Sequence, residues 1–345
     1  MRPRVTVGLL LLVATTCIAQ LGPGHALSTP GPHAVGESEV TLVDSGRNER
    51  QLRVALYYPA EVARRSAPPD RAGSPYPLIV YSHWFRGDYT GDAKLLSHLA
   101  THGFVVASVR HRCDGVPTCF VDRPLDMLFV LDQLASADAE VLPGLIDPGR
   151  AGLMGISFGG YSALAANGGR WEPETFLTYV DSIPADASFA PLQAQRRLAG
   201  EWDAVRSYAS AQGVQHVGEH WVFPSDPRVR AVLASAPGMG KLFGTHGLGG
   251  LAAPTLMFSG TDDAILDYNS YAVPLYESMP EATRLLVTYV GYGHHVEWDL
   301  WGAGHFRHLS TAFFGHHLQG RAGYDAYLSQ DYLGEFSDLR LGGVP

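Results

Sequence analysis

Residues 153–161 read LMGISFGGY, and no other stretch limits the fold of this chain as tightly. A short apolar run ends at Gly155-Ile156, Ser157 follows, and Gly159-Gly160 opens a helix-like segment. A Gly-x-Ser-x-Gly frame belongs where a strand turns sharply into a helix. Side chains two residues either side of the serine would collide there, hence the glycines. Such a turn lifts the serine oxygen clear of a sheet. It also aims the backbone N–H of Phe158, at a helix N-terminus, toward the same point, where it can stabilise a negative oxygen as one develops. The plainer reading is a glycine-rich turn that contains a serine by chance, and the flanking segments decide between the two.

Those segments alternate. PLIVYSHW (77–84), FVVASV (104–109) and AGLMGI (151–156) are runs of strand formers without the polar alternation of a half-exposed strand, which suits buried parallel strands. DAKLLSHLATHG (92–103), RPLDMLFVLDQLAS (123–136) and GGYSALAANGG (159–169) have helical spacing, with Pro124 expected near a first turn. VRAVLASAP, PTLMFSG and RLLVTYVG add strands, and HLSTAFFGHHLQG (308–320) a closing helix whose His316 and His317 are expected on a solvated face. RQLRVALYYPA (50–60) alternates like a strand, while 27–50 reads as a loose lead-in and 64–76 as a loop. The order predicts an α/β fold with a mostly parallel central sheet and helices on both faces. Residues 170–225 interrupt it with aromatics and charge, including Trp171, Phe176, Tyr179 and Phe189. They are expected to form a lid-like insertion over the C-terminal edge of the sheet, the alternative being a side domain on its flank.

Of 345 residues, 46% are hydrophobic and 17% charged, as in a globular chain. The formal net charge of −9, with no run of Lys or Arg, argues against a nucleic-acid surface. MRPR, the apolar run to Gln20 and the small residues beyond have the layout of a secretory signal peptide (1–26), with cleavage after Ala19 or Ala26, leaving a domain over 27–345. VATTC is a poor lipobox around Cys17, the apolar run is too short to span a bilayer, and no later stretch qualifies. A secreted or periplasmic location follows. Cys113 and Cys119 then remain in an oxidising compartment, where a disulfide is expected rather than two free thiols. No His pair accompanies them, so no metal site is expected there. HVGEH (216–220) would place two histidines on one helix face, but Gly218 and the lack of a third ligand weigh against it.

A serine nucleophile needs a base, itself oriented by an acid. In the α/β-hydrolase order of serine, acid, histidine, the acid falls after a later strand, at Asp262 or Asp263, and the base after the next, at His294 or His295. Composition does not choose within either pair.

VYSHWFRG, HLATHGFVVASV, RPLDMLFVLDQL, GISFGGYSA, APTLMFSGTDDAI and VGYGHH together carry a resemblance over about residues 76–319. The chain resembles the secreted α/β-hydrolases of the platelet-activating-factor acetylhydrolase and dienelactone-hydrolase-like group, and is similar to their polyester-degrading cutinase relatives. The resemblance implies Asp263 as acid and His294 as base, with Asp262 and His295 as neighbours; His305 is a weaker candidate, expected in a surface or core role. It also implies a second oxyanion donor at the N–H of Phe85. Trp84 stands where many relatives have glycine, and a serine replaces the cysteine of true dienelactone hydrolases, which argues against that substrate. Trp84, Trp298 and Trp301 lie near these loops, either lining an acyl pocket or packing the core. The implied activity is cofactor-free hydrolysis of a small-molecule or lipid ester, short-chain acyl esters and platelet-activating-factor-like phospholipids included. The alternatives are a serine peptidase acting on short peptides and a catalytically silent binding protein; ester-versus-amide turnover and a fluorophosphonate probe separate them.

Overall fold

In the computed structural model, which describes residues 23–112, 116–136, 139–187 and 189–343, ten strands form one sheet. In chain order its strands are β1 (Ala34–Asp44), β2 (Arg50–Ala60), β3 (Arg64–Arg65), β4 (Tyr76–Ser82), β5 (Val105–Arg110) and β6 (Ile146–Ile156), then, after a separate small sheet, β10 (Val229–Ser235), β11 (Thr255–Gly260), β12 (Arg284–Tyr289) and β13 (Leu339–Leu341). The small sheet is β7 (Arg170–Trp171), β8 (Gln215–Val217) and β9 (His220–Val222). The order across the large sheet is β13-β12-β11-β10-β6-β4-β5-β2-β1-β3. The six strands from β12 to β5 run parallel to one another. β2 is antiparallel to β5, β1 to β2 and β13 to β12.

The apolar strands are apolar throughout because both faces of the sheet are covered. Leu78 and Val80 of β4 pack toward α2 (Val116–Leu134) and α3 (Phe158–Ala166), while Ile79 and Tyr81 pack toward α1 (Ala93–Thr101) and α8 (Gly302–Gln319). Residues 170–225 form α4 (Pro173–Asp181), α5 (Ala190–Gly200) and α6 (Trp202–Ala211) beside the small sheet. Trp171 and Phe176 are buried there in the same core as α2 and α3. Two short helices, α7 (Val273–Glu277) and α9 (Gln330–Leu333), complete the chain.

Three expectations need correction. Residues 27–50 are not a loose lead-in: β1 pairs along its whole length with β2. From Glu37 to Val43 exposed residues, Glu37, Glu39 and Thr41 among them, alternate with half-buried Ser38, Val40 and Leu42, the period of a strand with one face in water. Pro124 is not in a first turn, since α2 begins at Val116. A proline inside a helix leaves the carbonyl four residues earlier without its N–H partner. Here that carbonyl, on Phe120, accepts the Tyr161 hydroxyl at 2.7 Å, and the Trp171 indole N–H donates to the same hydroxyl at 2.8 Å. The lost helix bond is thereby replaced by a tie joining α2, α3 and the start of the insertion. His317, finally, is half-buried against Phe313, while the His316 side chain is 39% exposed beside Asp325.

Residues 1–22 of the expected signal peptide, and Cys113, lie outside the described residues. Cys119 is buried on α2. Among the described residues no helix is long and apolar enough to cross a membrane.

Candidate active site

Ser157 stands between β6 and α3 with φ 54° and ψ −116°, a conformation that non-glycine residues rarely adopt and that costs on the order of 1–3 kcal/mol. Its surroundings impose it. The Ser157 N–H donates to Ser235 at 2.8 Å, and its carbonyl accepts from Gly238 at 2.8 Å and Tyr161 at 3.1 Å. The flanking glycines are required by close backbone approach. A Cβ on Gly155 would lie 2.0 Å from the Gly159 carbonyl oxygen, and one on Gly159 would lie 1.8 Å from that of Ser82. Ser157 remains partly exposed while Phe158 and the rest of α3 are buried.

The loops after β11 and β12 supply the acid and the histidine. His294 Nδ1 lies 2.7 Å from Asp263 Oδ2, with both side chains buried. The other carboxylate oxygen of Asp263 accepts the N–H groups of Ile265 and Leu266, each at 2.8 Å, which fixes its plane. Asp262 is exposed and bonded to the Thr261 hydroxyl. His295 pairs with Glu297 at 2.7 Å and stacks on Trp298. Among the described residues no hydrogen bond joins His294 to the Ser157 hydroxyl. Contacts of this kind are commonly loose without substrate and tighten with it.

Phe85, Phe120, Phe158, Ala194, Met239, Ile265 and Leu266 surround with Ser157 a small open recess, lined almost wholly by apolar atoms. Ala194 comes from α5, so the insertion reaches the recess that holds the serine. Of the insertion's aromatics, by contrast, Trp171 and Phe176 are core residues, Tyr179 bonds the Tyr271 hydroxyl and Phe189 is exposed. Trp298 and Trp301 do not line this recess and are 52% and 70% exposed. Trp84 packs on Trp298 and His295, joining the loop that carries Phe85 to the loop that carries His294.

Residues beneath this site escaped sequence reasoning. His111 Nδ1 lies 3.0 Å from Asp126, and its Nε2 lies 2.9 Å from the Ser82 hydroxyl. Asp126 also takes Arg50 and Arg47, each at 2.8 Å. Burial alone would raise the Asp126 pKa; the hydrogen bonds from His111 and Arg50 outweigh it and bring it to about 2. Burial lowers His111 to about 4. Arg123 is buried and donates to the His83 carbonyl at 2.6 Å, and burial lowers its pKa to about 9. The available signal was the charged cluster Asp122, Arg123 and Asp126 between the apolar stretches of α2. Glu297, two residues after His295, was equally visible in HHVEW.

His305 is a core residue, 3.5 Å from Asp338. His216 and His220 lie on the β8–β9 hairpin, which turns at Gly218, and not on one helix face. Among the described residues no group of three or more His, Cys, Asp or Glu side chains could hold a metal ion. Against known proteins, the chain matches no family model and no curated sequence.

Proposed function

We propose that the chain is a serine-dependent carboxylic ester hydrolase with the α/β-hydrolase fold, acting on short-chain acyl esters. The observation that carries the reading is Ser157, held in a strained strand-to-helix turn at the floor of an apolar recess. The chain order Ser157, Asp263, His294, after the ends of β6, β11 and β12, supports the fold assignment. In this reading Asp263 engages Nδ1 of His294, leaving Nε2 to take the Ser157 proton as the hydroxyl oxygen attacks the ester carbonyl. The proton passes to the leaving alcohol, an acyl-enzyme forms on Ser157, and water, deprotonated by His294, releases the acid. The N–H groups of Phe158 and Phe85 hold the tetrahedral oxyanion. The apolar recess takes the acyl group, and the substrate class extends to short-acyl phospholipids.

Fluorophosphonate labelling of the wild-type chain, lost in Ser157→Ala, tests the nucleophile. A panel of p-nitrophenyl esters of rising acyl length tests the substrate class. An unlabelled, folded wild-type chain would sink the proposal. Export and the Cys113–Cys119 disulfide belong to the same reading; thiol titration of the unfolded, unreduced mature protein, which lacks Cys17, should find no free thiol.

A further inference from the structure

We infer that Arg123 is a positioning residue for the oxyanion hole, acting through His83 on the N–H of Phe85 and through the ring of Phe158. This rests on the ester-hydrolase reading and extends it to a residue that does not touch substrate.

The peptide that carries the Phe85 N–H has the Trp84 carbonyl as its other end. Its orientation is set by what holds that carbonyl, because the peptide is planar. The His83 ring lies 2.8 Å from the Trp84 oxygen through Nδ1, and the Gly87 N–H donates to the same oxygen at 3.1 Å. A carbonyl only accepts, so His83 Nδ1 carries the proton. The preceding carbonyl, that of His83, is held by Arg123 Nη1 at 2.6 Å. Two successive peptides are therefore pinned, one by the His83 ring and one by Arg123. The same guanidinium carbon lies 4.6 Å from the centre of the Phe158 ring, on the residue that supplies the other proposed donor.

The charge on Arg123 is also unusual. The nearby carboxylate, Asp126, is taken by Arg47, Arg50 and His111. Among the described residues no carboxylate pairs with Arg123, and its Nε has no partner. An unpaired buried cation is costly to keep. It holds the backbone of the Phe85 loop through the His83 carbonyl and packs on the Phe158 ring, beside both proposed donors, and a fixed positive charge in a low dielectric favours a transition state that develops negative charge over the neutral ester.

The test compares wild type, Arg123→Lys and Arg123→Met on a p-nitrophenyl ester. Methionine fills the site without charge, and replacing a buried charge by an apolar side chain of similar size is often neutral for folding. The expected result for Arg123→Met is a fall in kcat of about 10- to 100-fold, less than the loss of an oxyanion donor outright, with KM within about twofold. Arg123→Lys should recover part of kcat. Inhibition by an alkylboronic acid, which becomes tetrahedral on the serine, should weaken in proportion to the loss of kcat/KM across the three proteins. A merely structural role would instead lower Tm and raise KM, with boronate affinity not tracking kcat/KM. Wild-type kcat in folded Arg123→Met, or a loss carried by KM alone, overturns the inference while leaving the hydrolase reading intact. A wild-type chain that neither labels with fluorophosphonate nor turns over ester overturns both.

Discussion

The tie beneath the nucleophile helix can be tested through Tyr161→Phe. In the native fold the Tyr161 hydroxyl donates to the Phe120 carbonyl and accepts from the Trp171 indole, with all three side chains buried. Phenylalanine keeps the ring and strands two polar groups, the carbonyl that Pro124 cannot serve and the indole N–H. Each buried unsatisfied group costs about 1–3 kcal/mol. The pair therefore predicts a loss of about 3 kcal/mol, near the low-to-middle part of the summed range because the indole can shift slightly. Pro124→Ala restores an N–H placed to bond the Phe120 carbonyl within α2, so in that background Tyr161→Phe should cost about 1 kcal/mol less. The assay is urea denaturation followed by circular dichroism, comparing midpoints at unchanged slope. A loss under 0.5 kcal/mol (roughly the size of a neutral surface substitution), or no coupling between the two positions, would refute the assignment of this hydroxyl as Pro124's replacement.

Other expectations follow from the site and the core. Ser157→Ala should lower ester turnover by roughly 10⁴-fold or more; Asp263→Asn and His294→Ala should be severe, and Asp262→Asn and His295→Ala mild, an exchange between the two groups reversing the assignment within each pair. Ala194→Trp should fill the recess from α5 and steepen the fall of kcat/KM with acyl length while acetyl ester turnover survives; an unchanged profile would place the insertion away from substrate. Burial lowers both His98 and His308 to about 3. A histidine with a depressed folded pKa stabilises fully above its unfolded value of about 6.5, and that contribution is lost as pH falls toward the folded value, at up to about 1.4 kcal/mol per pH unit for each group. Tm should therefore drop steadily between pH 6.5 and 4, and a flat profile there would contradict the burial of these rings.

Much of this protein was legible in the order of its residues. Uninterrupted apolar runs marked β4, β5, β6 and β10 to β12, and helical spacing marked α1, α3 and α8, because these patterns are local and repeat within a few residues. The glycines around Ser157 declared a close backbone approach before any partner was known. β1 was hidden because one face of it meets water and its charges read as loop. Only the tertiary structure decided that Asp263 meets His294 across 31 positions, that Arg123 holds His83 across 40, and that Tyr161 serves Phe120 across 41. Such pairings satisfy buried polar groups that the local chain leaves open. Which distant side chain arrives is set by how helices seat on the sheet, and no short stretch of sequence carries that information.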